Sequence, residues 1–343
     1  MQIIKKHKEK ILGCIVSLVF IGLIFWNIDF SRLVATFKIF NYKTLFIFVP
    51  LYIFSLYIRG VRWKCLLNFG GEFSSKDSFF IFTAGNTLNS YLPARAGDFW
   101  RAYHVGKNLN ESKAKILGSI ILERIIDGIS ILLLLTYAVI TYCKQSWILN
   151  ITYISAALFL GSFAFFYIAF KYNKIDYIFE SLSKIKILEK LTPLFLKVSS
   201  LLKNFIDGFQ VLNNPKSFFL AFCASGVAWL IECILTYILI LGFGFHFGIS
   251  IAMFVISFLA LSTIIPSSSI FVGPYQYAYI LALGIYNIDK SNGLGIAFIH
   301  QITIMLIITA ISVFYFFSNN KNLTQIQAEI ENNRSEKDLT EIM

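Results

Sequence analysis

The chain has 343 residues, of which 57% are hydrophobic and 14% charged, and a formal net charge of +11. Soluble domains carry about 25% charged residues, and no polar block here is large enough to build its own core. These numbers exclude a soluble enzyme. They predict an all-α polytopic membrane protein, because about 20 apolar residues in a helix cross a bilayer with every backbone group satisfied.

The N-terminal stretch "IIKKHKEK" and the apolar run at 11–28 resemble the charged and apolar regions of a signal peptide. The run ends in "FWNIDFSR", with no small-residue cleavage site, so it reads as an uncleaved first helix. A second helix is expected at 44–67, and residues 29–43 as an outer connection. After the polar segment Gly70 to Asp77, an apolar run from Ser78 to Leu92 stops at Pro93, and a new helical pattern begins near Gly97 and reaches about Lys107. Helices follow at 116–142 and 147–170, separated by a very short turn.

The connection at 171–216 is patterned. Ile175, Ile178, Phe179, Leu182, Ile185 and Leu188 recur at helical spacing, and Leu191, Leu194, Val198, Leu201 and Phe205 continue the stripe past Pro193. Lysines fill the other face, which predicts one or two amphipathic helices, either lying on the inner membrane surface or packed against the bundle. A helix at 217–241 comes next, then an interrupted run at 249–287 broken at Pro266, then a helix at 294–317. Residues 318–343 are polar, alternate in charge sign and read as a solvated cytoplasmic tail. The expected architecture is one membrane domain, 1–317, with six full transmembrane helices and two Pro/Gly-broken segments that re-enter or span.

Lysine and arginine placement sets the expected orientation. Four lysines precede Ile11, nine Lys and Arg lie within 59–115, and eight lysines lie within 171–216. The turn after 142 has only Lys144, and 242–248 has none. The basic regions and both termini therefore belong inside. Because the basic excess follows this positive-inside pattern, it gives no sign of a nucleic-acid partner.

Each broken segment is a helix, a proline, a small-residue loop, a glycine and a new helix. The restart Gly97-Asp98-Phe99-Trp100-Arg101-Ala102-Tyr103 aligns with Gly273-Pro274-Tyr275-Gln276-Tyr277-Ala278-Tyr279. The order of elements also repeats, with the two halves (10–142 and 147–317) entering from opposite sides, which is the pattern of an inverted repeat. In such folds the paired breaks point to the substrate site.

Proline lacks an N–H, and a helix end leaves backbone groups unpaired, so a break persists in lipid only inside protein or beside a water-filled cavity. A restarting helix presents N–H groups and a positive dipole end. Arg95 and Arg101 add fixed positive charge of a kind that suits phosphate, and Asp98 sits in the first turn. The stretch is expected to receive a phosphate or another anionic head group. The bland alternative is interface arginines snorkelling toward lipid head groups.

Glu123, Arg124 and Asp127 in "LERIID" share one helix flank and are expected to face the interior, tied to Arg95 or Arg101. Glu232 lies deeper in an apolar run, with no local partner, so it is protonated or paired across the bundle. At the second break Pro266, Ser267, Ser268, Ser269, Gly273 and Gln276 supply the loop and its polar groups, with His300 and Gln301 as weaker candidates. The five cysteines and four histidines show no metal-ligand spacing. No catalytic set, metal or cofactor is expected from the motifs.

These motifs resemble the integral membrane family that includes the transmembrane region of lysylphosphatidylglycerol synthases, often called flippase-like. "LPARAGDFWRAYHVGK" is similar to that family's Leu-Pro-x-Arg-x-Gly-Glu-x-x-Arg-Ala pattern, with Asp98 in place of glutamate. "LERIIDG" is similar to its Glu-Arg-x-x-Asp element, and "IPSSSIFVGPYQYAYILALG" to its second block, with Gln276 where glutamate is usual. The resemblance implies movement of an anionic lipid or a polyprenyl-phosphate-linked precursor between leaflets of a bacterial or archaeal cytoplasmic membrane. Alternatively, it implies a membrane-embedded transferase, or an accessory subunit of a separate lipid-modifying enzyme. No aminoacyl-transfer block follows the membrane region, so lipid aminoacylation by this chain is not expected.

Overall fold

A computed structural model describes residues 19–24, 28–68, 73–92, 95–142, 145–172, 177, 192–263 and 272–319. All regular structure among them is helical. A stretch at 19–24 (α1) is followed by α2 (Phe30–Ile39), α3 (Leu45–Leu67), α4 (Ser75–Tyr91), α5 (Ala96–Leu109), α6 (Lys113–Tyr142) and α7 (Ser146–Tyr172). Then come α8 (Thr192–Asp207), α9 (Pro215–Gly242), α10 (Ser250–Ser262), α11 (Pro274–Gly284) and α12 (Lys290–Ser318).

Four of these, with α3 taken from Tyr42 together with α7, α9 and α12, are long and apolar enough to cross a membrane. The 30-residue α6 carries Glu123, Arg124 and Asp127 within its length. Helix ends fall where local chemistry puts them. Ser74, Asn214 and Asp289 accept from backbone N–H groups at the starts of α4, α9 and α12. Asn68 and Asn110 adopt the left-handed conformation that closes α3 and α5.

The segment expected as a plain connection at 29–43 contains α2. Asp29 caps it by accepting from the Arg32 N–H, and Leu33 and Thr36 are buried. Thr36 donates to Asn292 at 2.8 Å and packs on Gly295, which fixes α2 to the start of α12. An N-cap and a short apolar face suffice for a helix here, although the charge count alone gave no sign of one.

The core sits where α3 packs along α9, with α4, α6, α10 and α12 around that pair. The described part of the 171–216 connection, α8, packs against α6. A side chain at Gly118 would meet the Phe205 carbonyl oxygen at 2.0 Å, so the two backbones touch there. Leu196, Leu201 and Leu202 remain exposed on its other side. The rest of that connection's stripe, most of the 11–28 run, Pro93, Pro266, the serines from Ser267 to Ser269 and nearly all of the tail lie outside the described residues.

Candidate functional site

The first break becomes a sharp corner. Arg95 caps α5 in the left-handed conformation, with φ 51°, and α5 folds back along α4. Gly97 makes that return possible, because a Cβ there would sit 1.9 Å from the Gly85 carbonyl oxygen. Asn89 on α4 clasps the restart twice. Its amide oxygen accepts the Asp98 N–H at 3.1 Å, and its amide nitrogen donates to the Asp98 carboxylate at 2.9 Å. Gly97 is therefore a close-packing position, and the first-turn N–H of Asp98 is already occupied from within the protein.

Beneath this corner lies a buried charge network that reaches the cavity at Asp127. Glu123 is fully buried, accepts from Arg101 at 2.8 Å and forms an ion pair with Arg62 at 3.0 Å. Both guanidiniums are also fully buried. Arg101 lies 3.9 Å from the Trp63 ring centroid and 4.9 Å from that of Phe82, so its planar cation is held on ring faces. Arg62 also pairs with Asp127, which accepts from Ser225 at 2.8 Å and from the Trp229 indole at 2.7 Å. Such a network is stable only when every charge in it has its partners.

Above the network is a cavity of about 330 Å³. Arg59, Arg95, Arg124, Asp127 and Glu232 supply its charged lining, and Tyr52, Trp229, Tyr275 and His300 supply aromatic walls. Arg124 is tied to Asp98 at 3.1 Å. Arg59 is tied to Glu232 at 3.3 Å and lies 4.7 Å from the Trp229 ring centroid. Arg95 differs from its neighbours. It donates to the Thr263 backbone carbonyl at 3.2 Å, and among the described residues no carboxylate comes within ion-pair distance of it, Asp98 acting on it only from farther off. That bond also joins the first break to the end of α10, where the second break begins.

The sequence-selected residues thus divide by position. Arg95, Arg124, Asp127 and Glu232 line the cavity. Asp98 and Glu123 stand behind the wall, as does Arg101, which the motif had cast as a phosphate contact and which has no exposed surface to offer a ligand. Glu232 finds its cross-bundle base in Arg59. Glu123 ties to Arg101, one of the two arginines expected for it. Gln276 closes α11 on itself, accepting the Gly273 N–H at 2.8 Å, and donates to Gln301. Gly273 takes a positive φ of 104°, which a side chain would resist. Pro266 and Ser268 lie outside the described residues.

Sequence reasoning passed over Arg59, Arg62, Trp229, Tyr52 and Tyr275. Arg59 and Arg62 had a visible signal: two arginines one helical turn apart inside an apolar run that crosses the membrane. His300, only a weak candidate, is buried in the cavity wall, and its Nδ1 meets the Tyr275 hydroxyl at 3.0 Å. Among the described residues no cluster of His, Cys, Asp and Glu has the geometry to hold a metal.

The chain matches the family described as "Lysylphosphatidylglycerol synthase TM region" over residues 10–312. It is similar to the UPF0104 membrane protein MJ1078 of Methanocaldococcus jannaschii, with 24% identity over 242 residues, which make up 69% of this chain and 95% of that protein. No solved structure matches it.

Proposed function

This chain belongs to the lysylphosphatidylglycerol synthase transmembrane-region family, and on that premise we propose that this integral membrane protein is a flippase-like transporter, moving an anionic lipid or lipid-linked precursor between leaflets. The observation that carries the reading is Arg95, a cavity cation with no carboxylate at ion-pair distance among the described residues. A charge held beside a low-dielectric cavity is costly unless something neutralises it, and a phosphate is the fitting counter-charge. Arg124 stands on the same wall and adds a second donor. A volume of about 330 Å³ suits a head group with its glycerol and leaves acyl chains outside. In this arrangement Arg101, Asp98 and Glu123 act through position: they hold Arg124 and the corner that carries Arg95.

The repeat belongs to the same proposal. The halves 10–142 and 147–317 form one membrane domain of two inverted units, with six spanning helices, two broken ones and cytoplasmic termini. Packing supports it. α4 of the first broken segment packs on α12, while α10 of the second packs on α6. The equivalent helices α3 and α9 lie against each other at the centre. As many residues separate Gly97 from Arg124 as separate Gly273 from His300, and Arg124 and His300 both reach the cavity. The lysine and arginine distribution supports the orientation.

The test is transbilayer movement of labelled phosphatidylglycerol in phosphatidylcholine liposomes that hold the purified protein. Wild type should move the lipid, and Arg95→Ala should slow it by at least about tenfold, the loss of one charge-assisted contact. Failure of the wild type to move phosphatidylglycerol, or in parallel liposomes a polyprenyl phosphate, would overturn the reading.

A further inference from the structure

Glu232 is the acid that the second half contributes to the cavity, and its base, Arg59, comes from the first half. The pair is built unlike the one at Glu123. Arg59 and Ser55 both approach the same carboxylate oxygen, each at 3.3 Å, whereas Glu123 is gripped at 2.8 and 3.0 Å by two fully buried arginines. Arg59 and Glu232 also face open volume, so a ligand can reach the guanidinium without unpacking the core.

Resting on the reading of the cavity as an anion site, we infer that Glu232 is the protonation site that couples proton uptake to head-group binding. A phosphate entering between Arg95 and Arg124 shares the cavity with the Arg59 guanidinium and competes for it. Taking Arg59 strips Glu232 of its counter-charge. A carboxylate left alone in such a place is far less stable than the acid, so it takes up one proton from the bulk solvent, where the buffer supplies it. The ledger is simple: one phosphodiester anion enters, Arg59 changes partner, and Glu232 goes from carboxylate to carboxylic acid. The loaded cavity then carries no extra charge, and a proton gradient becomes the driving force for a chain that shows no nucleotide-hydrolysis motif.

The surroundings of Glu232 are consistent with this role. From α3 it faces Tyr52, Ser55 and Arg59. On its own helix, α9, Cys233 and Trp229 are neighbours. Helix α6 brings Asp127 and Arg124, the first break Arg95, α11 Tyr275 and Tyr279, and α12 His300. Arg59 is the base bonded to it, and the Arg62 charge is already taken up by Glu123 and Asp127. Displacement of Arg59 therefore leaves protonation as the means of neutralising Glu232.

Calorimetry on the detergent-purified full chain tests this with dihexanoyl phosphatidylglycerol, a phosphodiester that does not itself titrate near neutral pH. Titrations run in two buffers of different ionisation enthalpy give the number of protons taken up per ligand bound. Wild type should take up close to one. Because the bound state holds the extra proton, affinity should fall as pH rises, approaching tenfold per pH unit where uptake is complete. Glu232→Gln should bind with no uptake and a flat pH profile. Binding without proton uptake in wild type overturns the inference and leaves the anion site standing. Uptake that persists in a folded Glu232→Gln also overturns it. Should wild type bind neither dihexanoyl phosphatidylglycerol nor a short-chain polyprenyl phosphate, the anion-site reading fails, and this inference with it. The wild-type pH profile decides the matter even if the variant does not fold.

Discussion

Glu123 and Glu232 are both buried glutamates paired with arginine, and they belong to different machines. Glu123 lies in a buried network in which two arginines converge on one carboxylate and two aromatic rings pack near one of them. Glu232 faces a cavity and is held by one arginine and one hydroxyl at longer range. Burial alone does not separate structural charge from working charge. In the proposed reading, what separates them is whether a partner can be exchanged without opening the core, and Glu232 faces the cavity while Glu123 does not.

The comparison breaks most visibly at the sealed end. Glu123→Ala leaves Arg62 and Arg101 buried with an insufficient counter-charge, and a loss of about 3–5 kcal/mol is expected. The thermal midpoint of the detergent-purified protein, read by loss of the monodisperse peak, should drop sharply or the protein should not accumulate. A midpoint equal to wild type would mean the network does not hold the fold. A smaller effect is expected at the corner above it. Gly97→Ala forces a methyl group into the Gly85 carbonyl and should cost about 1–3 kcal/mol through displacement of α5 from α4. The same assay would expose a tolerated alanine, which would contradict the close packing of the two helices.

Much of the scaffold was legible in the sequence because lipid leaves the backbone few options. Apolar runs had to become helices, and the two interrupted runs each divide into two helices, α4 and α5 in the first and α10 and α11 in the second. The expected helices at 44–67, 147–170 and 217–241 lie within a few residues of α3, α7 and α9. The missed α2 depended on a single cap, Asp29, in a stretch with too little apolar length to register. Site assignments were harder for a specific reason. Arg95 and Arg101 lie in one motif, but the left-handed turn at Arg95 sends the chain back along α4, and one arginine ends up on the wall while the other is sealed beneath it. Which carboxylate each arginine meets depends on α3, α6 and α9 coming together, and no spacing within one helix encodes that. Gln276 shows the same limit: its amide is spent on the turn that carries it.

Arg95→Gln gives the most direct test of the central claim, that the sealed charges hold the fold while the cavity charges hold the ligand. Thermal midpoint and binding of dihexanoyl phosphatidylglycerol should be measured on the same purified sample. The account predicts a midpoint equal to wild type and binding weakened by at least about tenfold, the loss of one charge-assisted contact of about 1.5–3 kcal/mol. Unchanged binding at an unchanged midpoint would contradict it, because the cavity cation with no carboxylate at ion-pair distance among the described residues would then have no part in holding an anion.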